Sequence, residues 1–285
     1  MRGGSPRGLA RIGAGVAAMA VVVLSASPAF ATTGRIESLP TLPDGDLGIV
    51  FSAVGLAPGE TIDLSTVKVA INGQPAVSRA SFVADTATQP LRQTMLTIDV
   101  SGSMANVIGT SRTTRIDAAK QAANAFLSGV PKDVYVGIVT FADAAKVARA
   151  PTQDHAKVKQ VIDGLAATNG NTALFDAVVA ANGALDPKGI GNQLLLTDGA
   201  NDRGTNTLAT AAANVKASKV VLDAVSIGAD AVGLKQLTTL TTAGNGSTVS
   251  ADNASQLTDI FTSAATDQAN QVIIDVTVPP NLAGT

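Results

Sequence analysis

From Gln93 onward the chain alternates short apolar runs with segments whose apolar residues recur every three or four positions. Met95 to Asp99, Val134 to Phe141, Gln193 to Thr197 and Val220 to Ile227 read as strands, with Lys146-Val147-Ala148 as a short edge strand and Ser247-Thr248-Val249 as a short strand. Between them, helical spacing joins Ile116, Ala119, Ala123 and Phe126, then Val158, Val161, Ile162 and Leu165, then Leu174, Val178 and Ala181. Three more helices follow, over Leu208 to Lys216, through Leu234, Leu237 and Leu240, and over Gln256 to Thr266. Thr114 precedes the first of these helices as a candidate cap, and Asp154 or Thr152 the second. Alternation of this length predicts an α/β fold, a doubly wound and mainly parallel sheet with helices on both faces.

The residues on either side have a different period. Val67, Val69 and Ile71 alternate with Lys68 and Ala70, and Asn72-Gly73 then supplies a hairpin turn before Ala76-Val77. Gly48 to Phe51 reads as another strand and Ala57-Pro58-Gly59-Glu60 as a turn. At the other end, Gln271 to Val278 is strand-like and is stopped by Pro279-Pro280. A lone strand after a finished α/β domain needs a partner. The expectation is that it joins the amino-terminal strands in a small β-sandwich-like module, with the α/β domain inserted between. The resulting division is 1–31, a leader; 32–92, the amino-terminal β module; 93–268, the α/β domain; and 269–285, the returning strand.

Residues 1–31 are a signal peptide in pattern. Arg2, Arg7 and Arg11 give a positive start, Ile12 to Leu24 is apolar, and Ala29-Phe30-Ala31 is a small-x-small cleavage site. The apolar run is shorter than the roughly 20 residues a membrane span needs, and no arginine pair marks a twin-arginine route. Secretion by a Sec-type route with cleavage near Ala31 is expected, to the extracellular space or cell surface, with membrane attachment only through an uncleaved leader or a further downstream segment. The 285 residues carry 20 basic and 22 acidic side chains. Because the leader holds three arginines and no acid, the mature chain has a net charge of about −5. An acidic protein without a basic run is not suited to nucleic acid or to anionic membrane surfaces. The absence of cysteine excludes disulfides, thiolate metal sites and cysteine nucleophiles.

The candidate chemistry lies at the end of the first strand of the α/β domain. Asp99-Val100-Ser101-Gly102-Ser103 puts a carboxylate and two hydroxyls at alternate positions, an oxygen-donor set suited to Mg²⁺, Ca²⁺ or Mn²⁺. In doubly wound sheets ligands bind at the carboxyl ends of the strands, where the strand order reverses. Asp198, ending the strand Gln193 to Thr197, is expected to face Asp99 across that reversal. The polar loop holding Thr172 opens the helix before the Asp198 strand and is within reach of the same crevice.

Taken together, Asp99-Val-Ser101-Gly-Ser103, Gly170-Asn171-Thr172-Ala173-Leu174 and Thr197-Asp198-Gly199 resemble the metal-ion-dependent adhesion site of von Willebrand factor A domains of the secreted bacterial type. Each piece alone is a weak signal; the trio, in family order over residues 93 to 268, is strong. The resemblance implies that Ser101 and Ser103 coordinate a cation directly, that Asp99 and Asp198 do so largely through water, and that Thr172 does either. It implies Mg²⁺, with Mn²⁺ or Ca²⁺ as substitutes, and a vacant position taken by an Asp or Glu carboxylate of a protein ligand. Asn171 departs from the family pattern, standing where many members have a second glycine.

Singly, Ser101, Ser103 and Thr172 read as helix caps, and Asp198-Gly199 as a turn. His155, the one histidine, reads as an uninvolved surface residue at a helix start. The enzyme alternative is a Mg²⁺-dependent aspartate-nucleophile phosphotransferase of the haloacid dehalogenase type, with Asp198 and Asp202 as a second acidic pair. Such chemistry needs a carboxylate two residues after the nucleophile as acid and base, and Ser101 stands there. A serine hydrolase lacks its Gly-x-Ser-x-Gly, and a phosphate loop is absent. The third alternative is a structural scaffold with an unused metal site. The reading is therefore a binding module and not an enzyme.

Overall fold

A computed structural model describes residues 20–23, 33–38, 47–56, 60–71, 73–86, 90–110 and 112–277. The amino-terminal strands are β1 (Ala20–Val23), β2 (Thr33–Ser38), β3 (Leu47–Val54), β4 (Lys68–Ile71) and β5 (Gln74–Phe82). The hairpin expected after Ile71 is present between β4 and β5. Gly73 has φ +79°, a left-handed turn conformation that glycine adopts without a steric penalty. The turn expected over 57–60 lies outside the described residues, apart from Glu60, and so does the leader, apart from β1. β1 runs antiparallel to β4, with Ala20 opposite Ile71.

The α/β elements follow as β6 (Arg92–Asp99), α1 (Arg115–Gly129), β7 (Tyr135–Phe141), β8 (Ala145–Thr152), α2 (His155–Asp163) and α3 (Leu174–Gly183). Then come β9 (Ile190–Thr197), α4 (Leu208–Ser218), β10 (Val221–Ser226), α5 (Ala231–Ala243), β11 (Thr248–Ser250) and α6 (Ala254–Ala269). The sheet order is β11-β10-β9-β6-β7-β8, parallel throughout except for β8, which returns antiparallel on β7. β6 pairs with β7 on one side and β9 on the other, so the order reverses between β6 and β9. The period of two along β6 sends Leu96 and Ile98 to one face and Met95 to the other. The first face packs on α1, α2 and α6 through Phe126, Ile162 and Phe261; the second packs on α3, α4 and α5 through Val178, Val215 and Leu240. All eight residues of β6 are buried, as a strand covered on both faces should be.

After α6 the chain enters β12 (Val272–Thr277), which inserts between β3 and β5, antiparallel to both. The expected module is therefore built from amino-terminal strands and the carboxy-terminal one. It is one six-stranded antiparallel sheet, β1-β4-β5-β12-β3-β2. β5 spans two parts of it: its residues 74–76 pair with β4 and 77–82 with β12. Val69 and Ile71 of β4 share a core with Ile49, Phe51 and Ile274, so the strands expected to form a small sandwich make a single sheet with one apolar cluster. Val50, Val83, Ile190 and Ile273 form the apolar contact between module and α/β domain.

Thr114 and Asp154 cap α1 and α2 as expected, accepting from Asp117 N and Lys157 N. Two local readings change. β8 spans eight residues instead of three, because ladder bonds to β7 extend past its weakly apolar sequence. His155 is buried, with Nε2 2.9 Å from the Val134 carbonyl oxygen, so it belongs to the packing under α2 and not to the surface. Among the described residues no helix is long and apolar enough to cross a membrane.

Candidate functional site

The reversal between β6 and β9 brings Asp99 and Asp198 to the same end of adjacent strands. Ile98 stands opposite Leu196 in register, each strand ends one residue later, and Asp198 follows directly on β9. Asp99 is buried completely. Its Oδ1 accepts from Ser101 N at 2.8 Å and its Oδ2 from Thr197 Oγ1 at 2.6 Å. Ser101 Oγ lies 3.2 Å from Ser103 Oγ, and Ser103 Oγ donates to Asp198 Oδ1 at 2.7 Å. Four of the five candidate residues thus form a hydrogen-bonded cluster spanning two strand ends.

Thr172, the fifth, is placed through its loop. Gly102 N donates to the Gly170 carbonyl at 2.9 Å and Thr168 N to the Val100 carbonyl at 2.8 Å, tying the 168–172 loop to the Asp99–Ser103 turn. Thr172 N donates to Asp202 Oδ1 at 2.7 Å, while the Thr172 carbonyl accepts from Asp202 N at 3.1 Å. Thr172 is buried, but the hydrogen bonds that fix it run through its backbone and not through the other four candidates. Asn171, in the place of a glycine, donates from N and Nδ2 to Asp143 Oδ1 at 3.0 and 2.7 Å, which anchors the loop. Asp202, which could have paired with Asp198 in a phosphotransferase, instead fixes the backbone of Thr172.

Burial pushes the Asp99 carboxyl up to about 6, with hydrogen bonds from Ser101 and Thr197 holding it down and the neighbouring charge of Asp198 adding to the rise. Asp198 is compensated by a residue that the sequence reading did not select. Arg115 Nη1 donates to Asp198 Oδ2 at 2.6 Å, and the Asp198 side chain is fully buried while that of Arg115 is 22% exposed. One local signal marks Arg115: it is the first residue of α1, where the helix dipole disfavours a positive charge. Thr197, next to Asp198 in the motif, also enters the site as a donor to Asp99.

The arrangement offers two carboxylates and a run of hydroxyls. Among the described residues no three Asp, Glu, His or Cys side chains gather as a metal centre. The donor set nevertheless fits a hard cation. Hydroxyl and carboxylate oxygens already lie within hydrogen-bond distance of one another, from the buried Asp99 and Ser101 to the exposed Ser103. No carboxylate stands two residues after Asp99, where acid–base chemistry at an aspartate nucleophile would need one.

Fold and cluster together define a doubly wound domain that presents hydroxyls and carboxylates at its topological switch point. Residues 94–200 match the family described as von Willebrand factor type A domain. The α/β unit has the von Willebrand factor A fold, and the matched stretch runs from within β6 to just past β9. Among solved structures, one described as von Willebrand factor type A from Catenulispora acidiphila is similar at 20% identity and TM-score 0.54, covering 78% of this chain and 45% of that one. This chain thus spans less than half of that protein's length. BatB from Bacteroides thetaiotaomicron is similar at 18% identity and TM-score 0.50, over 61% of this chain and 98% of that one. The D319A mutant of the PilB minor pilin from Streptococcus sanguinis is similar at 13% identity and TM-score 0.57, over 86% and 80%. These likenesses show the fold. No curated protein matches the chain.

Proposed function

We propose that this protein is a secreted or cell-surface binding module that captures an acidic group of a protein ligand at a metal-ion-dependent adhesion site. Ser101, Ser103, Thr172, Asp99 and Asp198 would hold the cation, Mg²⁺ or in its place Mn²⁺ or Ca²⁺. The cation would supply positive charge to an incoming Asp or Glu carboxylate. The observation that carries this reading is the bonded chain from Asp99 through Ser101 and Ser103 to Asp198, which joins two strand ends at the switch point. Within it the chain's own groups have distinct tasks. Thr197 and the Ser101 amide orient Asp99, Ser103 orients Asp198, and Asp202 with Asp143 fixes the loop that carries Thr172.

Neutral hydroxyls among the donors leave a bound cation with more net charge than a site built from carboxylates alone, which favours an anionic ligand. Titration of the mature protein with Mg²⁺, Mn²⁺ and Ca²⁺ against Asp99→Ala is the test. Saturable binding by the wild type and its loss in the variant are expected. Equal binding by both would overturn the reading.

A further inference from the structure

Each oxygen of Asp198 already has a partner. Ser103 Oγ donates to Oδ1, and Arg115 Nη1 donates to Oδ2 at 2.6 Å. The backbone that carries this side chain is fixed, and one loop packs on the guanidinium. The backbone N–H of Arg115 donates to the Asn106 carbonyl at 2.8 Å, Thr114 fixes the start of α1, and the loop after β10 presents Gly228 to the guanidinium. A Cβ at Gly228 would lie 3.3 Å from Arg115 Nη2, and the glycine has φ +72°, so the loop lets the guanidinium lie against bare backbone. Arg115 Nε is buried without a hydrogen-bond partner. A cation at the amino-terminal end of a helix with an orphaned N–H is unfavourable by itself. Its pairing with Asp198 is what offsets that cost.

We infer that Arg115 is the resident counter-ion of Asp198 and sets the cation affinity of this site by competing with the metal for that carboxylate. The inference rests on the cation-site reading above. With Asp99 and Asp198 ionised, the cluster carries two negative charges and the guanidinium cancels one of them. A divalent cation therefore meets a site of net charge −1 with a like charge salt-bridged to one of its ligands. Cation affinity at oxygen-donor sites follows the count of ligand charges, and a like charge a few ångströms away weakens it further. Arg115 thus keeps the site weakly loaded, while the same pair holds Asp198 in place when no cation is bound.

The test is Mn²⁺ binding at low ionic strength, followed by the electron paramagnetic resonance of free Mn²⁺, for wild type, Arg115→Gln and Arg115→Lys. The expected result is binding about tenfold tighter in Arg115→Gln, with Arg115→Lys close to wild type because the charge remains. High salt should narrow the difference. In chelator, Arg115→Gln should melt at a lower temperature than wild type, since Asp198 loses its pair. Arg115→Ala replaces the Gln variant should that one fail to fold. Equal Mn²⁺ affinities in wild type and Arg115→Gln would overturn the inference and leave the cation site standing. Weaker binding in Arg115→Gln would also overturn it, making Arg115 a support for Asp198. Absence of Mn²⁺ binding in every variant would remove the cation-site reading, and the inference with it.

Discussion

The Ser103 hydroxyl donates to Asp198 at 2.7 Å across 95 residues of sequence, closing the gap between the end of β6 and the end of β9. Together with the Thr197 hydroxyl, which donates to Asp99 at 2.6 Å, it turns two separate strand ends into one cluster. Removing it by Ser103→Ala leaves Asp198 Oδ1 unpartnered in a buried position. This should destabilise the cation-free protein by about 1–2 kcal/mol. Mn²⁺ affinity should fall by about tenfold or more as a donor is lost, measured by titration beside a urea unfolding curve in chelator.

Cation loading should itself stabilise the fold. At a concentration 100 times its dissociation constant, a cation bound only by the folded chain adds about 2.7 kcal/mol. The melting temperature should rise with added Mn²⁺ in wild type and stay constant in Asp99→Ala.

Arg35 of β2 joins the module to the α/β domain. Its Nη1 lies 3.1 and 3.0 Å from the two oxygens of Asp223 on β10, and its Nε donates to Glu37 Oε1 at 3.2 Å. Glu37 has a fully buried side chain and an unpartnered Oε2. Arg35→Met should therefore cost about 3–5 kcal/mol at pH 8, because it strands a buried carboxylate. The double variant Arg35→Met/Glu37→Leu should recover most of that loss in urea unfolding.

The same contact region makes stability pH-dependent. Arg35, Glu37, Asp223 and Asp267 line a cavity of about 30 Å³, and burial pushes the Asp267 carboxyl up to about 7, offset in part by the charge of Arg35. An unfolded chain releases that proton near the ordinary value of 3.8, so the folded state holds more protons between about pH 4 and pH 7. Stability should be full below that window and decline as pH rises through it, by roughly 2–4 kcal/mol in all. Burial raises Glu37 in the same direction. Asp267→Asn should flatten the slope above about pH 6 in unfolding curves recorded in chelator from pH 4.5 to 8, while the slope below it, to which the raised Asp99 contributes, should remain.

The proposed export has its own readout. The mass of the mature protein from the culture medium should correspond to a chain beginning at Thr32, with Arg2 to Ala31 gone. A chain that retains residues 1–31 in the cell envelope would count against cleavage.

Much of the architecture can be read from local pattern. Apolar runs and helical spacing located the strands and helices of the α/β domain, because a strand covered on both faces has to be apolar along its length, as β6 is. The Asn72-Gly73 turn announced the β4–β5 hairpin, and Thr114 and Asp154 announced the starts of α1 and α2. β2 and the full length of β8 were not legible. Their side chains are only partly apolar, and they are strands because a neighbouring ladder offers them hydrogen bonds.

For the site, the available oxygens are legible from residue type and spacing: Asp99, Ser101 and Ser103 on one turn, Asp198 on another, and Thr172 on a loop between. Their partners are not, and come from the folded arrangement of the strands. It gave Asp198 to Ser103 and Arg115, Asp99 to Thr197, and Asp202 to the backbone of Thr172. The reason is physical. Residue type and spacing fix a side chain's chemistry and the end of the strand it occupies, whereas the compensation of a buried charge depends on which distant group the sheet order brings within 3 Å.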